Sequence, residues 1–277
     1  LENYNGSGGV RLSLTQEMVQ EFQLNRNSYS AEFGNASGGV INVISRSGSN
    51  DWHGNAFGFL RHRDIQARNY FDPAKSPFTR VQAGATAGGA LRKDRTFIFA
   101  GLERLDRHES SFIPLLTDRG VFARLTPAQQ QLVDFFDVSG SALLRDTAAR
   151  MRQTLVPERY PDIVELFTVN SGVFPVSEAQ TLFGIRIDHR FSDRHSLFVR
   201  GNAAGNLLEN SSFGALDAFN RGRSIRQSDG TIAVGDTYVF NARALLETRL
   251  MFNYNPFDII PNDRLGPELN VAGFGLF

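Results

Sequence analysis

Apolar and polar residues alternate along much of this chain with a period of two, the spacing of a strand that shows one face to an apolar medium and the other to water. Leu182 to Asp193 is the clearest case: Phe183, Ile185, Ile187 and Phe191 fall on one face and Arg186, Asp188 and Arg190 on the other, with His189 the single polar residue on the apolar side. Ser192, Asp193 and Arg194 make a tight turn, and His195 to Asn206 returns with Leu197, Val199, Gly201 and Ala203 opposite Ser196, Phe198, Arg200 and Asn202. The two segments predict a hairpin. Ala242 to Asn255 repeats the pattern, with Ala244, Leu246, Thr248, Leu250, Phe252 and Tyr254 on one side and Glu247, Arg249 and Asn253 on the other. Ser228 to Phe240 is less regular, because Asp236 shares a face with Ile232, Val234, Tyr238 and Phe240; a β-bulge there would resolve the conflict. Trp52 to Arg61, Arg80 to Leu91 and Arg95 to Leu105 are further strand-like runs, the last two joined by the short polar turn Arg92-Lys93-Asp94.

Segments of this length are those of membrane strands, which need about 9–11 residues to cross. The connections support that reading. Arg92 to Asp94, Ser192 to Arg194 and Asn241 to Arg243 are short, whereas His62 to Thr79, Asp106 to Ala179 and Leu207 to Ser224 are long. Short turns on one side and long loops on the other are the habit of outer-membrane barrels. Long loops at one end also occur in β-sandwiches, so a soluble β-sheet module stays open at this point. Within the longest connection, Thr126-Pro127 caps a helix over Ala128 to Phe136, and Ser141 to Leu155 places Leu144, Ala148, Met151 and Leu155 on one helical face before Pro157 stops it. Near the start, Thr15 is positioned to cap a helical turn over Gln16 to Val19, Phe22 to Asn25 is strand-like, and Val40 to Ile44 alternates until Ser47-Gly48.

Composition narrows the classes. The chain has 277 residues, 29 basic and 29 acidic side chains and no cysteine, with Phe 24 dominating Tyr 6 and Trp 1. Zero net charge argues against nucleic acid as a partner, and the lack of cysteine rules out disulfides and thiolate metal sites. There is no apolar run long enough for a transmembrane helix. Leu1 stands where an initiator Met would be, and the chain stops at Phe277 soon after a Pro/Asn-rich stretch, so both ends read as truncations.

Catalytic signatures are missing. His108-Glu109 begins a metalloprotease pattern, but Phe112 occupies the second His position; no serine has the G-x-S-x-G frame; Gly34 to Gly39 is not followed by G-K-[ST]. His53, His62, His108, His189 and His195 have no metal-ligand spacing, and no cofactor is called for. Asn35 and Asn210 open short glycosylation-like sequons. The remaining chemistry is charge on the polar faces of the strands: Arg186, Asp188, Arg190, Arg200, Glu247 and Arg249, with Glu103 if its strand turns Phe97 and Phe99 inward. Inside a barrel these would solvate the lumen and hold whatever fills it.

The order Ser30-Ala-Glu-Phe-Gly34, Ser37-Gly-Gly-Val-Ile-Asn-Val-Ile-Ser-Arg-Ser-Gly48, His53 to Phe71, and Ala83 to Glu103 resembles the junction between plug and barrel in TonB-dependent outer-membrane receptors, especially their Oar-like branch. The resemblance implies a C-terminal plug remnant over 1–49 and the first part of a barrel over 50–277, with a long helical outer loop at 106–179. The fold class expected is all-β: a partial transmembrane antiparallel β-barrel, an open curved sheet of about seven strands with a small α+β plug remnant, where whole receptors have about 22 strands and a plugged lumen. It further implies outer-membrane lipid and the TonB energising complex as partners, an unidentified ligand bound by outer loops and plug, and a plug that rearranges to let it pass. A non-transporting structural or adhesive outer-membrane barrel and a soluble β-sheet binding module remain as alternatives.

Overall fold

The computed structural model describes residues 14–25, 40–68, 75–113, 125, 127–154, 161–213, 217–263, 270–271 and 275–276. The expected cap Thr126, the helix end at Leu155 and Pro157, the lead-in Tyr29 to Gly39 with the Asn35 sequon, and Leu1 to Gly9 lie outside them. Two antiparallel strands come first, β1 (Val19–Asn25) and β2 (Val40–Ser45), paired from Val19↔Ser45 to Asn25↔Val40. The main sheet follows: β3 (His53–His62), β4 (Phe78–Arg92), β5 (Thr96–Ile113), β6 (Gly172–Ser192), β7 (His195–Ser211), β8 (Arg223–Asn241), β9 (Ala244–Tyr254) and the short β10 (Phe257–Pro261). β3 to β8 lie in chain order, and both β9 and β10 pair with β8. Among the described residues nothing joins β3 to β9 or β10, so the sheet is not closed. Among the described residues, three helices, α1 (Pro127–Asp137), α2 (Ala142–Thr154) and α3 (Pro161–Val169), occupy the longest connection. A last small pair, β11 (Asn270–Val271) and β12 (Gly275–Leu276), is antiparallel.

By its contacts the chain divides into two units, the first comprising 1–109, 177–209 and 225–260, the second 110–176, 210–224 and 261–277. In the first, the alternation becomes two faces. Phe183↔Ala203, Ile185↔Gly201 and Ile187↔Val199 share the outer face of β6 and β7, and Ile232↔Phe252, Val234↔Leu250 and Tyr238↔Leu246 continue it on β8 and β9. On β3 and β4 the same face is built of small side chains, Gly54↔Ala87, Ala56↔Ala85 and Gly58↔Ala83. These residues are exposed or half-exposed and apolar, the composition of a lipid-facing band. Aromatic residues gather at the short-turn end: Trp52 lies over Gly89, and Phe191, Tyr238 and Phe240 stand beside the turns. Such belts mark the membrane–water interface. No described helix is long and apolar enough to cross a membrane, which says nothing of strands.

The sequence underestimated several strands. β5 runs on to Ile113 and β6 starts at Gly172, so the connection expected over Asp106 to Ala179 is shorter than the alternation suggested. The reason is that beyond the hydrocarbon both faces meet water. Asp106 and His108 then alternate with Arg107 and Glu109, and the backbone ladder continues without an apolar signal. β7 likewise reaches Ser211. The α3 helix, opened by Pro161, was not anticipated. Thr15 precedes a single 3₁₀ turn, Gln16–Met18, but its side chain makes no capping bond; the turn is closed by Met18 N–H donating to the Thr15 carbonyl at 3.0 Å. The bulge expected near Asp236 is absent: pairing is unbroken from Gly230↔Tyr254 to Val239↔Leu245, and the irregularity sits at the turn.

In the second unit Ile113, Phe167 and Ala218 form a buried cluster, with Leu166, Phe174, Phe213 and Phe219 packed on it. Phe174 stacks on Phe219 with centroids 4.2 Å apart, and Phe213 meets both edge-on. In α1 and α2, Val133 and Ala148 are fully buried, and Arg152 bonds Asp137.

Candidate functional site on the inner wall

The face opposite the apolar band carries the charge. Contacts between strands fix its membership: Arg107 meets Glu178 at 2.8 Å across β5 and β6, and an added methyl at Gly235 on β8 would collide with the Phe198 ring on β7. With the strand pairings, these put Glu103, Arg186, Asp188, Arg190, Arg200, Glu247 and Arg249 all on this inner face.

The first element among the described residues lies on that face. Met18 is fully buried, and its floor is the backbone of Gly101 on β5 and Gly184 on β6. A Cβ at Gly184 would stand 2.5 Å from Met18 Sδ and one at Gly101 2.8 Å from its Cγ, so only glycine leaves room for the knob. Leu14 and Phe99 complete the cluster. Beside it, Asn55 Nδ2 donates to Glu17 Oε2 at 2.8 Å.

The end of β2 is held by charge. Arg186 forks onto Asp188, with Nε to Oδ2 at 2.9 Å and Nη2 to Oδ1 at 2.8 Å. Its Nη1 donates to the Ser45 carbonyl at 2.8 Å and to Ser45 Oγ at 3.2 Å, while Ser47 Oγ donates to Asp188 at 2.8 Å. The guanidinium also lies over the Phe198 ring, 5.2 Å from its centroid. About a fifth of each side chain in the pair is exposed, 20% and 22%. Charge-assisted bonds to a backbone carbonyl and a second strand make the pair a clamp rather than a surface ion pair. A cavity of about 350 Å³ opens beside it, lined by Ser47, Phe97, Asp188, Arg190, Phe198 and Thr237 among others.

The other predicted residues separate. Glu103, 7% exposed, accepts from Gln82 Nε2 at 2.6 Å, and Arg80 in turn donates to Gln82 at 3.0 Å. Glu247 and Arg249 bond each other at the exposed edge strand β9. Arg190 and Arg200 stand apart from these pairs; Arg200 faces Arg186 directly across the β6–β7 ladder. The sequence missed Met18, Ser45, Ser47, Arg107 and Glu178. Ser45 and Ser47 carry no distinguishing signal until β2 is laid on β6, and Arg107 with Glu178 fell inside the segment taken for loop. Among the described residues no cluster of three acidic, His or Cys side chains could hold a metal.

An unclosed antiparallel sheet with an apolar, aromatic-belted outer face and a charged inner face is a part of an outer-membrane barrel. The chain belongs to the outer membrane beta barrel domain family, whose model matches residues 44–276. Over 102 residues, 34% of this chain, it is 36% identical to the TonB-dependent transporter Oar of Myxococcus xanthus, of which the match covers 10%. No solved structure matches the chain. These similarities define a transporter-type barrel of the outer membrane of a Gram-negative bacterium, and neither is to an enzyme family.

Proposed function

We propose that the chain is the end of a plug, residues 1–49, and the first barrel strands, residues 50–277, of a receptor that imports a ligand with energy from the TonB complex. The observation that carries this reading is the seating of the 14–18 turn and β2 on the inner wall. Met18 in its glycine socket and the Ser45/Ser47 clamp on Arg186 and Asp188 hold a small element against the inner face, where it would stand in a ligand's path. An element held by one apolar knob and a few charge-assisted bonds needs work to dislodge, and mechanical pulling from the inner membrane is the source that the likeness to the Oar transporter suggests. The charged side chains of the wall would solvate the path, and the ligand itself is unidentified.

The test is uptake by cells displaying the complete receptor, offered fluorescent pools of short peptides and short glycans, with and without the inner-membrane energising complex. Accumulation that requires both receptor and complex is expected. Accumulation of nothing, or equal accumulation without the complex, would leave a non-transporting barrel as the reading.

A further inference from the structure

The inner wall is not uniform. On β4, β5 and β6 its polar groups pair with one another or with the 14–47 element: Gln82 with Glu103, Arg107 with Glu109 and Glu178, Arg186 with Asp188 and Ser45. On β7, β8 and β9, apart from the Glu247–Arg249 pair, several do not. Arg200 Nε, Asn202 Oδ1, Asn206 Oδ1, Gln227 Nε2, Thr231 Oγ1 and Asn253 Oδ1 are all buried and have no hydrogen-bond partner among the described residues. These residues lie on three neighbouring strands and one face, with Thr231 directly opposite Asn253. Asn202 is 8% exposed and Thr231 6%.

Charge sharpens the point. Arg186 and Arg200 face each other across one ladder, and Asp188, on the same face of β6, is committed to Arg186 and Ser47. Asp229, on the same face of β8, has an interaction of its own. A half-buried guanidinium with no counter-ion among the described residues is costly, and an incoming anion would offset that cost. We propose that Arg200 and Thr231 form a subsite for the anionic oxygen group of the imported ligand, a carboxylate, with the amide oxygens of Asn202, Asn206 and Asn253 taking hydrogen bonds from the polar atoms next to it. The subsite rests on the transport reading. It names the class of ligand as a polar organic acid, whose carboxylate belongs to a peptide end or to an acidic sugar.

Binding to the complete receptor in detergent tests it, with four probes: trialanine, trialanine amide, trigalacturonic acid and maltotriose. At least one carboxylate probe should bind 10-fold or more tightly than its neutral counterpart, and which of the two does so identifies the source of the acid. Arg200→Gln should reduce that preference below twofold. The ligand-free variant should also melt at a higher temperature than the parent, because the lone buried cation is gone. Absence of any acid preference, its survival in Arg200→Gln, or a lowered melting temperature would overturn the subsite, the last by making Arg200 a structural residue. A receptor that imports in the cell assay yet shows no acid preference would lose the subsite and keep the transport reading.

Discussion

If Met18 is the knob that seats the N-terminal element, shortening it should loosen that element and nothing else. The side chain is fully buried against Gly101, Gly184, Leu14 and Phe99. Replacing a buried Met by Ala costs about 2–5 kcal/mol, of which part is the cavity left behind. Here the lower end applies, because Leu14 is positioned to move into the space over a floor of glycine backbone. At about 1.36 kcal/mol per factor of ten, a loss of about 2 kcal/mol raises local opening about 30-fold. Hydrogen exchange of the β1 amides, Val19 to Asn25, reads that opening in the complete receptor. Met18→Ala should speed it about 30-fold, while the barrel's resistance to heat in detergent stays unchanged. Met18→Leu conserves volume and should cost under about 1.5 kcal/mol. Gly184→Val should mimic Met18→Ala from the other side, since its side chain fills the socket. Exchange within twofold of the parent in Met18→Ala would refute the knob, and so would simultaneous collapse of the barrel.

Three further outcomes follow from other parts of the fold. Ile187→Arg, on the lipid face, should cost about 2–4 kcal/mol near the midplane, measured by urea titration of receptor folded into vesicles, and a change under about 0.5 kcal/mol would show that the face is not in lipid. Arg186→Ala leaves Asp188 half-buried with Ser47 alone; allowing for its exposure the loss should be about 2–3 kcal/mol in the hold on β2, read as faster exchange of Val40 to Ser45. Phe167→Ala, beneath the second unit's aromatic cluster, should cost about 3–5 kcal/mol and expose 127–169 to protease; unchanged cleavage would mean the helices stand without that core.

What the sequence made legible was each hairpin and its faces. Leu182 to Asn206 and Ala242 to Asn255 carry a period of two across the hydrocarbon, where a wrong-facing side chain is expensive, so the pattern is enforced residue by residue. Outside the hydrocarbon that pressure ends, and the extensions of β5, β6 and β7 left no trace in the alternation. The pairing of β5 with β6 spans an insertion of three helices, and no local rule reports which distant strand will lie alongside. Candidate site residues were legible only as a face. Arg186, Asp188 and Arg200 stand out in the sequence as polar-face residues of one hairpin, but that Arg186 is clamped and Arg200 is not depends on Ser45 and Ser47, brought in with a separate strand pair. Met18 was invisible for the same reason: its socket is an absence of side chains at Gly101 and Gly184, on strands far from it in the chain.

Asp236 shows how an apparent violation of the alternation is accommodated. It stays on the outer face between Val234 and Tyr238, in unbroken register, and His195 Nε2 comes to 2.8 Å from its Oδ1. His195 is itself stacked on Phe191, with centroids 4.6 Å apart, and meets Tyr238 edge-on at 5.2 Å. The pair therefore lies in the aromatic belt at the short-turn end, where the cost of a charge has fallen from its midplane value to about 0–1 kcal/mol. Removing the partner leaves the carboxylate among aromatic rings without this bond, whereas removing the carboxylate leaves only an imidazole ring in a belt that accepts one. His195→Ala should cost about 1 kcal/mol, Asp236→Ala close to nothing, and the double variant no more than Asp236→Ala, a coupling of about 1 kcal/mol in a double-mutant cycle. Urea titration of the receptor in vesicles measures all three. Zero coupling, or an Asp236→Ala loss larger than that of His195→Ala, would mean that Asp236 is held by something other than this histidine.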